Sequence, residues 1–153
     1  MIGKNSILPA LFTSTPVRPR PVSAETYTLH FRTAQSLILI DAAVNGLSAK
    51  LLFDTGSTRT ILSAEVLGLN PAKIEMQPQE FPYSPQAENS LETYVSLILD
   101  RYELARARVL AADLTDISKQ LRVRCDGIIG QDLIGTFNSV RIDYAQNIVQ
   151  LEK

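Results

Sequence analysis

The chain has 153 residues, 45% of them hydrophobic and 20% charged, which suffices for one ordinary globular domain with its own core. Fifteen basic against sixteen acidic residues leave a formal charge of -1, so no nucleic-acid-binding face is expected. A single cysteine, Cys125, excludes an intrachain disulfide and any multi-cysteine metal site, and no apolar run approaches the roughly 20 residues of a membrane-spanning helix.

Residues 1–25 carry Pro9, Pro16, Pro19 and Pro21 among Ser and Thr, a composition that predicts a flexible, extended tail ahead of a domain spanning 26–153. The apolar stretch Ile7 to Phe12 is broken by Pro9 and is followed by Arg18 and Arg20, a poor match to a secretory leader. The compartment stays undeclared, with a cytoplasmic chain favoured over a secreted or periplasmic one.

Tyr27 to Phe31 alternates as a strand should. Ser36 to Val44 is an apolar run ending at Asn45-Gly46, the dipeptide best suited to a tight type I′ hairpin turn, and Ala49 to Phe53 returns as its partner. Thr60 to Leu62 reads as strand, and Ser63 is placed to cap a short helix through Leu67 that Gly68 closes. Pro71, Pro78, Pro82 and Pro85 predict a loop or an exposed hairpin edge over 71–90. Glu92 to Asp100 and Ala107 to Leu114 are expected as two strands joined through Arg101 to Arg106, with a helical turn over Thr115 to Leu121. A short helix is expected over Gln131 to Phe137, and Val140 to Asp143 with Ile148 to Leu151 as a closing hairpin.

The apolar segment Leu51-Leu52-Phe53 runs straight into Asp54-Thr55-Gly56-Ser57 and leaves through Ile61-Leu62, which sets a carboxylate on a turn beside a dry core. Two such carboxyls sharing one site cannot both ionise easily, so the pair holds one proton and serves as acid and base together. Neither a metal nor another cofactor nor a covalent nucleophile is needed.

These residues, together with Asp126-Gly127-Ile128-Ile129-Gly130-Gln131-Asp132-Leu133 downstream, resemble the retropepsin-like aspartic peptidases, the single-lobed family of retroviral proteases and their cellular and bacterial relatives. The resemblance runs over roughly residues 36–151 and implies an all-β, closed barrel-like half-lobe with one or two short helices. It implies that Asp54 is the catalytic carboxylate and that the Thr55 hydroxyl bonds across a dimer axis. Gly56 would let substrate backbone approach, and Ile128, Ile129 and Gly130 would support the turn from behind. Ser57 is expected to hydrogen-bond the carboxylate and lower the pH optimum relative to Ser57→Ala. Thr58, Arg59 and Tyr83 are expected to contact substrate. Because Asp-Thr-Gly occurs once, the resemblance implies a two-fold homodimer acting on an extended peptide or protein substrate.

Two departures from the retroviral pattern stand out. The cover over the cleft should fall within 77–94, yet no glycine occurs between Gly68 and Gly127, where viral flap tips are glycine-rich. Thr58 and Gln131 occupy positions where retroviral enzymes carry a paired aspartate and arginine, so both partners here are neutral.

Other readings are simpler. An Asp-Thr-Gly triplet can be a plain turn. Asp126 and Asp132 suggest a carboxylate pair within one chain, although a turn cap and a helix start respectively account for them more simply. His30 could serve Ser57 as a base and Cys125 could be a nucleophile, against a structural histidine and a buried thiol. Arg101, Arg106, Arg108, Arg122 and Arg124 read as a solvated face. At the level of the whole protein, a peptide-binding or dimerisation module of the same fold without turnover is the alternative function, followed by a structural or membrane-associated processing partner.

Overall fold

The structure is a computed structural model that describes residues 24–73 and 90–153. The proline-rich tail up to residue 23 and most of the expected cover, Tyr83 included, lie outside the described residues. Among the described residues the order is β1 (Thr26–Ala34), β2 (Leu37–Val44), β3 (Leu47–Phe53), β4 (Ile61–Ser63), β5 (Leu91–Leu99), β6 (Tyr102–Ala112), α1 (Thr115–Leu121), β7 (Gly127–Ile129), α2 (Gln131–Ile134), β8 (Ser139–Asp143) and β9 (Ile148–Glu152). Strands run in the spatial order β3-β7-β4-β6-β5-β2, and a further β2–β3 pairing closes these six into a barrel. β1, β9 and β8 continue the sheet beyond β2. Among the described residues the fold is therefore all-β, with two short α-helices and a single 3-10 turn at Pro71–Lys73. None of the described helices is long and apolar enough to cross a membrane.

The unbroken apolar runs have a physical reason: these strands are covered on both faces. Leu51 and Phe53 point into the main core with Ile38, Ile40, Leu62, Leu97 and Ile129. Leu52, between them, points the other way with Leu39, Ile128, Leu121 and Cys125. A third cluster of Ile61, Leu110, Ala112 and Leu114 shares Ile117 of α1 with the second. Each fully buried Leu or Ile stabilises the fold by roughly 1.5–3 kcal/mol relative to exposure.

Asn45 and Gly46 turn between β2 and β3 with φ of 49° and 80°, the type I′ geometry that their sequence predicts. The Asn45 side chain also accepts from the Ser96 amide at 2.9 Å, which fastens this tip to β5. A second turn with two positive φ values joins β1 to β2 at Gln35 (48°) and Ser36 (68°). Nothing in its composition announces it, and it forms because the β1–β2 register buries Phe31 against Ile38 and Ile40.

Three local expectations are corrected. β5 and β6 meet at a tight turn over Asp100 (φ 52°) and Arg101 rather than through a long link to Arg106. Tyr102 holds the strand start by stacking edge-on to Tyr27 and Phe137, with centroids 5.0 and 4.9 Å away. Residues 64–68 form successive turns and not a helix. The Ser63 cap exists, accepting from Val66 N at 3.1 Å, but Gly68 at φ 68° ends the segment before an α-helical ladder can build. The helix after Gly130 stops at Ile134 instead of reaching Phe137.

Candidate active site

Asp54 follows directly on β3. β7 runs parallel to β3, with Leu52 opposite Ile128 and Phe53 opposite Ile129, and antiparallel to β4, with Ile61 opposite Ile128. The strand that enters the turn and the strand that leaves it are thus both hydrogen-bonded to one buried strand between them. The Asp54 amide donates to Ile129 O at 3.1 Å, continuing the β3–β7 ladder to the acidic residue itself. Its carboxylate accepts from Gly56 N at 2.9 Å. Asp54, Thr55 and Gly56 are exposed although β3, β4 and β7 around them are buried, so the single chain presents its carboxylate to solvent.

Glycines allow this packing. A Cβ on Gly127 would sit 2.7 Å from Ile61 O, and one on Gly130 would strike the backbone of Arg59. β7 can therefore fit between β3 and β4 only with glycine at its start, and the chain can pass against the turn only with glycine just after its end.

The start of α2 holds the far side of the turn. Gln131 N donates to Ser57 O at 2.8 Å and Asp132 N to Thr58 O at 3.2 Å. The Gln131 side-chain amide donates to Thr55 O at 2.7 Å. Asp132 Oδ1 accepts from Thr60 N at 2.8 Å and from Thr60 Oγ1 at 2.7 Å, and Thr60 Oγ1 in turn accepts from Gly130 N at 3.1 Å. From the sequence, Asp132 reads as a helix start in preference to half of a carboxylate pair with Asp126. The signal for more was Thr60, a hydroxyl followed at once by the buried pair Ile61-Leu62.

Thr55, Gly56, Ser57, Thr58, Arg59, Ile128, Ile129 and Gly130 all converge on this turn. One expected contact is absent. The Ser57 hydroxyl donates to Arg59 O at 2.9 Å, so its proton is committed to backbone and not to Asp54, and the acid shift expected from Ser57 loses its basis. Thr58 is exposed, and the Gln131 side chain reaches Thr55 rather than Thr58.

Arg59 turns away to a network of charges. It meets Asp132 Oδ2 and Glu92 Oε2, both at 3.3 Å, and Arg108 meets the same Glu92 oxygen at 2.9 Å. Partial burial alone would raise the Glu92 carboxyl, but hydrogen bonds and charge from Arg59 and Arg108 outweigh it and hold it below the usual glutamate range. A cavity of about 460 Å³ adjoins this network, lined by Arg59, Thr60, Arg108, Val109, Asp132 and Leu133 among others, and Asp54 does not line it. Of the expected cover, Ser90 to Tyr94 are described, and from Leu91 they belong to β5.

The competing chemistries find no arrangement to support them. Asp126 is buried and does not cap its own turn. Its carboxylate accepts from Lys50 N at 2.9 Å and from Arg124 Nε at 2.7 Å, which staples it to β3, whereas the Asp132 carboxylate is engaged by Thr60 and Arg59. His30 is exposed in the β1–β9 pairing opposite Ile148, and the Ser57 hydroxyl is otherwise engaged. Burial pushes the Cys125 thiol up, which disfavours the nucleophilic thiolate. The five arginines read as a solvated face are all exposed, Arg106 lying over the Tyr94 ring at 4.3 Å.

Neither a family model nor a curated protein matches the sequence. Solved structures match its fold. A retropepsin-like aspartic protease from Rickettsia conorii is 20% identical, with 85% of this chain and 93% of that one covered and a TM-score of 0.58. The retroviral protease-like domain of Ddi1 from Leishmania major is 16% identical over 74% of this chain and 86% of its own, with a TM-score of 0.48. The EIAV protease in complex with an inhibitor is 15% identical over 69% and 91%, with a TM-score of 0.45. With a closed six-stranded barrel, a buried strand inserted behind the acidic turn, and the Rickettsia protein matching over nearly its whole length, this chain has the retropepsin-like aspartic protease fold.

Proposed function

We propose that the chain is an aspartic endopeptidase whose catalytic pair forms when Asp54 meets its copy in a two-fold homodimer. One observation carries the reading: Asp54 is exposed at the tip of a turn that is hydrogen-bonded on both sides to buried structure, and the sequence supplies only one such carboxylate. A rigid, exposed half-site is what a dyad built across two chains requires, because the geometry of each half is fixed before they meet.

In the dimer the two carboxyls share one proton. The ionised member takes a proton from water as its oxygen attacks the scissile carbonyl carbon, while the protonated member gives its proton to the carbonyl oxygen. Collapse of the tetrahedral diol breaks the C–N bond. The amine nitrogen takes the proton from the first carboxyl, and one diol hydroxyl returns a proton to the second. The pair regains its starting state.

The experiment is cleavage of a denatured protein mixture at several acidic pH values by wild type and Asp54→Asn, with and without a pepstatin-type inhibitor. Cleavage by wild type alone, blocked by inhibitor, is expected. Cleavage that survives the substitution would remove Asp54 from the reaction, and peptide binding without cleavage at any pH would favour a module that keeps the fold without turnover.

A further inference from the structure

Resting on the proteolytic reading, we propose that Gln131 is a positioning residue that holds the catalytic turn with an uncharged hydrogen bond and keeps that hold throughout the acid range in which a carboxyl pair works. Its side-chain Nε2 donates to Thr55 O at 2.7 Å, so the bond closes on the residue between Asp54 and Gly56. The base of the side chain is itself anchored, because Gln131 N donates to Ser57 O at 2.8 Å at the first position of α2. Backbone and side chain of one residue thus grip two carbonyls of the same turn.

The chemistry of the donor matters. A clamp made from a carboxylate and a cation fades as the carboxylate takes up a proton near its ordinary value of about 4. A carboxamide neither gains nor loses a proton there, so its N–H remains a donor at every pH at which the dyad could act. Thr58, also neutral, offers no charge for a cation at 131 to meet, which fits an amide at that position.

Gln131→Glu turns this permanent donor into a titrating one. Below about pH 4 the protonated carboxyl can donate to Thr55 O. Above it the carboxylate is acceptor-only and faces a carbonyl oxygen. Gln131→Leu has no donor at any pH. The test is kcat and KM for wild type and both variants from pH 3 to pH 6.5, at protein concentrations where kcat no longer rises, with Tm recorded at each pH. For Gln131→Glu, kcat relative to wild type is expected near one at the acid end and to fall by about threefold to tenfold as pH rises, the scale of one lost hydrogen bond. KM should change little. Gln131→Leu should show a deficit of similar size that does not vary with pH. Gln131→Glu that tracks wild type at every pH, or that loses only Tm while kcat is unchanged, overturns the inference. A wild type that cleaves nothing, or Asp54→Asn that cleaves as wild type does, overturns the proteolytic reading itself and this inference with it.

Discussion

Asp132 and Thr60 are joined twice: one carboxylate oxygen accepts both the backbone amide of Thr60, at 2.8 Å, and its hydroxyl, at 2.7 Å. Thr60 is buried and stands where the acidic turn enters β4, so this pair ties the exit of the turn to the start of α2. Asp132→Ala would leave a buried amide without its acceptor. It is expected to cost about 1–3 kcal/mol, read as a lower Tm in thermal unfolding. Asp132→Asn keeps an acceptor oxygen and should lose far less, chiefly the pairing with Arg59. Equal Tm for Asp132→Ala and wild type would show that the pair does not hold the turn.

Gly130 is the other fixed point. A methyl group there runs into the Arg59 backbone, which cannot rotate aside as a side-chain tip can. Gly130→Ala is therefore expected to destabilise by roughly 1–3 kcal/mol through overpacking and to move β7 away from the turn. Gly46→Ala makes a useful contrast, since no atom lies within 4 Å of its Cβ position and only its φ of 80° is penalised. If the two variants lost the same stability with identical activity, the close approach of β7 to Arg59 would not be the constraint.

Glu92 sets an acid dependence with a definite sign. Its carboxyl lies below the usual range in the folded chain because hydrogen bonds and charge from Arg59 and Arg108 outweigh its partial desolvation. The folded state thus binds this proton less readily than the unfolded state, so the contribution is fully present above the ordinary glutamate value of about 4.3 and is lost as pH falls through the lower folded value. The Tm difference between wild type and Glu92→Gln should be positive near neutrality and shrink on acidification. A difference that stays constant from neutrality to acid, or grows there, would contradict this assignment.

Much of the fold could be read directly from residue pattern, for reasons the structure makes plain. Asn45-Gly46 is where two positive φ values are needed, and the consecutive apolar residues of β3 and β7 are buried on both faces. Isoleucine and glycine at 128–130 are legible because only glycine permits the backbone contact with Arg59. What escaped the sequence depends on partners distant along the chain. Gln35 and Ser36 turn by virtue of the register on either side. Tyr102 fixes a tight hairpin through rings from β1 and from the segment after α2. Asp126 found a partner in Lys50, and Asp132 in Thr60. In each case local chemistry named a capable group and tertiary packing chose what it would touch. The Ser57 hydroxyl shows the same lesson in reverse, since it donates to the carbonyl of Arg59, two residues on, and not to the carboxylate.

The two-chain site can be tested most directly by mixing. Wild type and Asp54→Asn are combined in varying proportion at constant total concentration, allowed to exchange subunits, and assayed for peptide cleavage. If each site needs Asp54 from both chains, activity follows the square of the wild-type fraction, about one quarter at an equal mixture under random pairing. Activity that falls linearly, to about one half at an equal mixture, would mean that one chain carries a complete site and would contradict the dyad.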